Sequence, residues 1–424
     1  MTVTRRQFLT LLAGVILYQT PPPDGVYVDH TLTVTTTERY DPLTRQPNGG
    51  RYRAFKRLND ALKETPTKGI IWVRAGTYAE REEINAAPRR QACFVVNKSV
   101  SLRAYPGERP ILTYDLEKLP IIDLVDKGPI LQIRADGEVL VEGITIIGTH
   151  SLGDNPTWDT DINLEIGMQK EGNVTVRRCR LVDGGHSGVK VSRVRGSVVI
   201  EQCMFENTGY TYRDHHIYVS DDTKGYPVII RHNVMQTVSG YAVHCYTRPP
   251  NCEIYANVIL DCVGGGILFG GPNNLILHNT VFNAAGYGSL VLYKEASLNA
   301  QIKNNALFRP DGGREILLDA AGGENEVSHN AYRNLVRVGL SQRGAFECLN
   351  CVELTKDRLP QFVGEKPTQW GELRIKPESP LIGRGVELKQ EPHHWLLDPS
   401  RTDWPTPIYV APKDGKTVIG AFAP

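Results

Sequence analysis

Three chemically able residues stand at the same position of successive short repeats: Lys190, Tyr218 and His244. Each is flanked by apolar residues, as Val189-Lys190-Val191, Ile217-Tyr218-Val219 and Val243-His244-Cys245. If each triplet is a strand with its apolar pair turned inward, the middle residue points out. A lysine, a tyrosine and a histidine on neighbouring rungs suit β-elimination at a uronic acid. That reaction needs a positive group to neutralise the carboxylate, a base for the C5 proton and an acid for the leaving O4. Lys190 or Arg134 can neutralise, His244 or Lys190 can act as base, and Tyr218 can act as acid. Base and acid exchange with the stereochemistry of the substrate. An epimerase would use the same parts and return the proton from the opposite face.

The surrounding positions follow from the same alternation. The middle outward column reads Gln132, Glu165, Lys190, Tyr218, His244, Leu268, Val291, Leu317. The next reads Arg134, Gly167, Ser192, Ser220, Tyr246, Gly270, Tyr293, Asp319. Polar chemistry is concentrated in the earlier coils, and the later ones turn apolar or small. Arg134, Glu165, Arg213, His216, Tyr246 and Arg248 are the substrate-binding candidates around the three. An outward Lys or Tyr on a sheet is commonly a solvated or cross-strand-packed residue. What sets these three apart is their stacking beside two insertions.

The elements that would position them form a repeat. Apolar pairs recur at Leu131/Ile133, Leu164/Ile166, Val189/Val191, Ile217/Val219, Val243/Cys245, Ile267/Phe269, Leu290/Leu292 and Ile316/Leu318. A second marker runs between them: Cys179, Cys203, Asn233, Asn257, Asn279, Asn305, Asn330. The spacing is about 25 residues, within the range of solenoids. Such a unit cannot bury its own core and must stack on its neighbours. Stacked coils place equivalent strands about 4.8 Å apart, so the asparagines would form a ladder inside the turn. Cys179 and Cys203 fit the same slot as reduced core residues. Most coils use about ten residues from marker to next strand. The coil from Cys203 to Ile217 is longer by about four, near Tyr210–Asp214. The coil that starts at Gly143, placed where the marker should be, is longer by about ten, within 149–162. Insertions on one face of a solenoid often mark the binding face.

Length and composition bound the rest. The chain has 424 residues, 48 basic and 47 acidic, for a net charge of +1, which argues against a nucleic-acid partner. Hydrophobic content of 41% with 22% charged residues excludes wholesale disorder. The 40 glycines suggest many turns, and 8 cysteines are too few for a disulfide scaffold of this size. Thr4-Arg5-Arg6-Gln7-Phe8-Leu9 precedes a short apolar run to Tyr18 and reads as a twin-arginine-type export signal over 1–22. It predicts a periplasmic or extracellular protein with no stable membrane span. Residues 23–94 are expected to form an N-terminal strand and helix cap. Tyr52–Glu64 supplies the helix, with Phe55, Leu58 and Leu62 on one face. The repeats cover 95–335, and 336–424 form a C-terminal capping segment. Cys348-x-x-Cys351 is half a metal site at most and suits buried thiols or a local disulfide.

With these features the chain resembles the right-handed parallel β-helix superfamily of secreted bacterial carbohydrate-active proteins, the pectate-lyase-like group. The resemblance rests on the opening strand Gly69–Tyr78, the repeats, and the closing segments at 373–385 and Ile419–Phe422. It implies an all-β, right-handed parallel β-helix of about ten coils, in which that turn and strand build the substrate cleft. It implies a polysaccharide lyase acting on an acidic, uronate-containing polysaccharide. Calcium often bridges uronate to protein in such lyases. Asp154, Asp159 and Asp161, in the long insertion, are the candidate Ca²⁺ ligands. The chain lacks the lysine and arginine signatures of a close chondroitinase-B or alginate-lyase relative.

Other readings stay open. Asp221-Asp222 could serve an inverting glycoside hydrolase, although a solvated turn is the simpler reading. A β-helix with aromatic flanks can also bind a glycan without cutting it, or act as a surface scaffold. No organic cofactor is indicated, since phosphate-cradling motifs are missing from the sequence. A monomer is expected.

Overall fold

The computed structural model describes residues 24–80, 92–114, 128–149, 162–167, 171–220, 223, 225–246, 249–293, 298–319, 324–338, 348–355, 360–388, 391–401 and 403–423. Within them, strands stack into three long sheets of thirteen, eleven and ten strands. Every third strand joins the same sheet, so each turn of chain lays one strand on each of three faces. Pairing is parallel throughout the coils, which makes the molecule a parallel β-helix.

The ten-stranded sheet carries the repeat read from the sequence. Leu131, Leu164, Val189, Ile217, Val243, Ile267, Leu290 and Ile316 lie in one continuous register. All eight are fully buried. Phe94–Val96 and Leu335–Val338 add one strand at each end. Fully burying an aliphatic side chain contributes about 1.5–3 kcal/mol. Only stacking completes that burial, because a coil's inward residues meet those of the coils above and below.

The marker column forms a hydrogen-bonded ladder. Asn233 Nδ2 donates to Asn257 Oδ1 at 3.0 Å, Asn257 to Asn279 at 3.0 Å, Asn279 to Asn305 at 3.0 Å and Asn305 to Asn330 at 2.9 Å. Each amide also donates to a buried backbone carbonyl, such as Ile200 O or Ile230 O. Cys179 and Cys203 continue the column as buried free thiols. The position before each marker is left-handed: Arg178, Gln202, His232, Ala256, His278, Asn304 and His329 all have φ between 51° and 60°. Gly143, with φ 77°, belongs to this column, and Ile144 holds the marker slot beside it. Glycine relieves the strained turn, which is why it stands one place ahead of the marker.

The N-terminal helix is shorter than its apolar pattern. It runs Leu58–Glu64, while Tyr52–Phe55 is a strand. Ala54 and Phe55 pair in parallel with Tyr27 and Val28 and are buried. Satisfying an open sheet edge outweighed one more turn of helix. The segment from Pro360 to Ala423 lies along the flank of the solenoid. Phe362, Trp370, Leu397 and Phe422 pack on Val234, Leu260 and Phe282, which project from the eleven-stranded sheet. Cys348 and Cys351 form a disulfide. Among the described residues, no helix is long and apolar enough to cross a membrane.

Candidate functional site

The ten-stranded sheet builds a groove of about 1080 Å³ on its outer face. Lys190 pairs with Tyr218, and Tyr218 with His244, as direct Cα partners on adjacent rungs. Glu165 precedes them in register and Leu268 follows. All three candidate chemical residues line the groove, as do Arg134, Glu165, Arg213 and Tyr246. The side chains of Gln132 and Glu165 are hydrogen-bonded to each other. Beyond His244 the wall turns apolar: Leu268, Val291 and Leu317 are buried together with Tyr241.

Among the described residues, cations outnumber carboxylates along the groove. Arg134, Lys190, Arg193 and Arg213 line it, against the carboxylate of Glu165. Such a lining attracts anions. Six tyrosines also line it, and Tyr212, Tyr246 and Tyr287 are exposed. Rings of this kind offer apolar faces with a polar tip.

His216 lies elsewhere. It is fully buried on the interior side, where its ring packs 5.7 Å from that of Phe205 and Nε2 donates to Gln236 O at 3.1 Å. It does not line the groove; His215 does. Strict alternation fails between residues 216 and 217, which both point inward. The same break recurs on each coil, where Asn163, Gly188, Ala242 and Gly266 precede the apolar pair. A Cβ on Gly188 would meet His216 O at 2.7 Å and a Phe205 ring carbon at 2.9 Å. The small residues in this column were the available sign that the position is interior. The groove residue His186 and the buried carboxylate behind it were also missed. His186 Nδ1 lies 2.6 Å from Asp214 Oδ1, and Asp214 is buried. The two are far apart in sequence and no local spacing pairs them.

His215 is enclosed by aromatic rings. It stacks on Tyr218 at 5.7 Å and 9°, and meets His244 edge-on at 4.3 Å. Its Nδ1 accepts from Tyr241 N–H at 3.1 Å, and its Nε2 lies 2.7 Å from His244 Nδ1. Burial, with His244, His186 and His216 nearby, holds His215 well below the ordinary imidazole range. Burial pushes His244 down to about 4. Both rings are therefore neutral at pH 7.

Arg248, Asp221, Asp222 and the calcium candidates Asp154, Asp159 and Asp161 lie outside the described residues, as does the export signal. Among the described residues, no group of three or more His, Cys, Asp or Glu side chains is arranged to hold a metal ion.

Fold and groove define a right-handed parallel β-helix protein with a cationic, tyrosine-lined cleft on one sheet. The family profile "Right handed beta helix region" matches residues 211–348. No curated protein sequence matches the chain. Among solved structures, pectate lyase Pel9A is similar at 10% identity and a TM-score of 0.45, covering 96% of this chain and 98% of that one. The Azotobacter vinelandii mannuronan C-5 epimerase AlgE6 A-module is similar at 11% identity and a TM-score of 0.38, covering 70% and 94%. The Geobacillus virus E2 protein ORF18 is similar at 10% identity and a TM-score of 0.43. That match covers 70% of this chain, which spans 56% of the viral one.

Proposed function

We propose that the protein is exported and acts on an acidic, uronate-containing polysaccharide by β-elimination. The observation that carries this reading is the register Lys190–Tyr218–His244 inside a groove lined by three arginines, Arg134, Arg193 and Arg213. Adjacent rungs are about 4.8 Å apart, so the three groups span about 10 Å, enough to reach both faces of one sugar ring. His244 binds the carboxylate by hydrogen bonding and so stabilises the charge that develops when C5–H is removed, while Arg134, four rungs away, meets the carboxylate of a neighbouring sugar. Lys190 takes the C5 proton on its amine nitrogen, which must enter the reaction unprotonated. The C–H electron pair becomes the C4=C5 double bond, the C4–O4 bond breaks, and Tyr218 gives its proton to O4. The products are an unsaturated uronate end and a new reducing end. Tyr212, Tyr246 and Tyr287 offer stacking faces to neighbouring sugars.

The test is ultraviolet absorbance of the unsaturated product on a panel of uronate polysaccharides. A rise that Lys190→Ala and Tyr218→Phe abolish supports the assignment. New reducing ends without absorbance would move the case to hydrolysis. Exchange of the C5 proton alone would move it to epimerisation, and binding without either would leave a glycan-binding protein.

A further inference from the structure

The contacts of His215 constrain the chemistry of His244 further than register does. An imidazole nitrogen that accepts a hydrogen bond carries no proton, and the other nitrogen of a neutral ring must then carry it. Tyr241 N–H points at His215 Nδ1, so His215 holds its proton on Nε2. That proton faces His244 Nδ1 at 2.7 Å. His244 Nδ1 is thereby an acceptor, and the proton of the neutral ring sits on Nε2.

We infer that His215 is a positioning residue that locks His244 in its Nε2–H form, so that His244 gives the groove a hydrogen bond and does not act as its base. The inference rests on the reading of the groove as a uronate site. It assigns His244 to the substrate's carboxylate oxygen and leaves removal of the C5 proton to another group.

The lock follows from counting protons. A cationic His244 would carry N–H on both nitrogens and would need His215 Nε2 as an acceptor. With Nδ1 already accepting from Tyr241, His215 would then have no proton at all and be an anion. Protonating His244 therefore requires breaking the Tyr241–His215 bond. Tyr218, Tyr241 and Tyr246 surround His244 within 5.3–5.6 Å, and among the described residues none of these contacts places a carboxylate against it. A neutral imidazole that donates is the ring form suited to binding an anion without competing for its proton.

The decisive measurement is long-range proton–nitrogen NMR on the full chain labelled with ¹⁵N-histidine, with His244 assigned by loss of its signals in His244→Gln. The expected result at pH 7 is a protonated Nε2 and a bare Nδ1, unchanged down to pH ~5. A protonated Nδ1, or a cation at neutral pH, overturns the inference. His215→Asn keeps an acceptor for Tyr241 N–H but withdraws the Nε2 donor. There His244 should show both neutral forms at pH 7. His215→Gln restores a donor near the lost Nε2 and should restore the single form. An unchanged His244 in His215→Asn removes His215 from the role. Sodium D-galacturonate should shift the His244 Nε2–H signal. If the ring form is as expected and galacturonate has no effect, the uronate reading has failed and the lock has not.

Discussion

Asp214 Oδ1 lies 2.6 Å from His186 Nδ1, and Asp214 Oδ2 accepts the Thr211 backbone N–H at 2.6 Å. One buried carboxylate thus closes the inserted turn on itself and fastens it to the preceding coil. The turn carries Tyr212 and Arg213, both of which line the groove. The four extra residues are held in place by a contact between coils.

Asp214→Ala should therefore loosen the groove wall more than the solenoid. Losing a buried charged acceptor destabilises by about 1–3 kcal/mol. The expected kinetic signature is a raised KM with a smaller change in kcat, because Tyr212 and Arg213 bind the chain away from the reacting carbon. A fall in kcat alone would place His186 and Asp214 in the chemical step.

The asparagine ladder makes a separable prediction about stability. Asn257 donates to Ile230 O and Asn279 Oδ1, and its Oδ1 accepts from Asn233 N and Nδ2. Asn257→Ala leaves several of these buried groups without partners and should destabilise the protein by roughly 3 kcal/mol or more, read from urea unfolding. Asn257→Cys should be milder, because the Cys203 thiol in this column donates to Val176 O at 3.6 Å and Glu201 O at 3.3 Å, the carbonyls equivalent to Ile230 O and Tyr255 O that Asn257 meets.

Acid should weaken the fold before it titrates the carboxylates. Burial holds His216 and His278 down at about 3 and His232 at about 4. Unfolded, each would bind a proton near pH ~6.5. The unfolded chain therefore binds more protons between these values, and stability rises with pH across that window. It is full above ~6.5 and falls as pH drops toward 4, by up to ~1.4 kcal/mol per pH unit for each buried ring. Urea midpoints measured at pH 7.5 and pH 5.5 should differ accordingly. His278→Asn should reduce the difference, and an unchanged difference would show that this ring is solvated.

Export is tested without reference to the groove. Replacing Arg5 and Arg6 together by lysine should leave the chain in the cytoplasm if the twin-arginine route is used. Continued export of the double variant would assign the segment to another pathway.

The sequence by itself determined the coil, the sheet and most of the groove. Period-two alternation around Val189, Ile217 and Val243 was enough to put Lys190, Tyr218 and His244 in one outward column, because parallel stacking repeats one register from coil to coil. The asparagine column was legible for the same reason, since a ladder needs the same residue at the same depth. Alternation could not distinguish His215 from His216. The period breaks inside the strand His215–Ser220, and only packing against Phe205 shows which ring turned inward. It could not separate helix from strand at Tyr52–Phe55 either, where a sheet edge supplied hydrogen bonds that no local pattern encodes. The tertiary structure alone decided the joining of Asp214 to His186 and of Tyr241 N–H through His215 to His244. These contacts run between neighbouring coils, and a proton's position on an imidazole depends on what faces the ring in space.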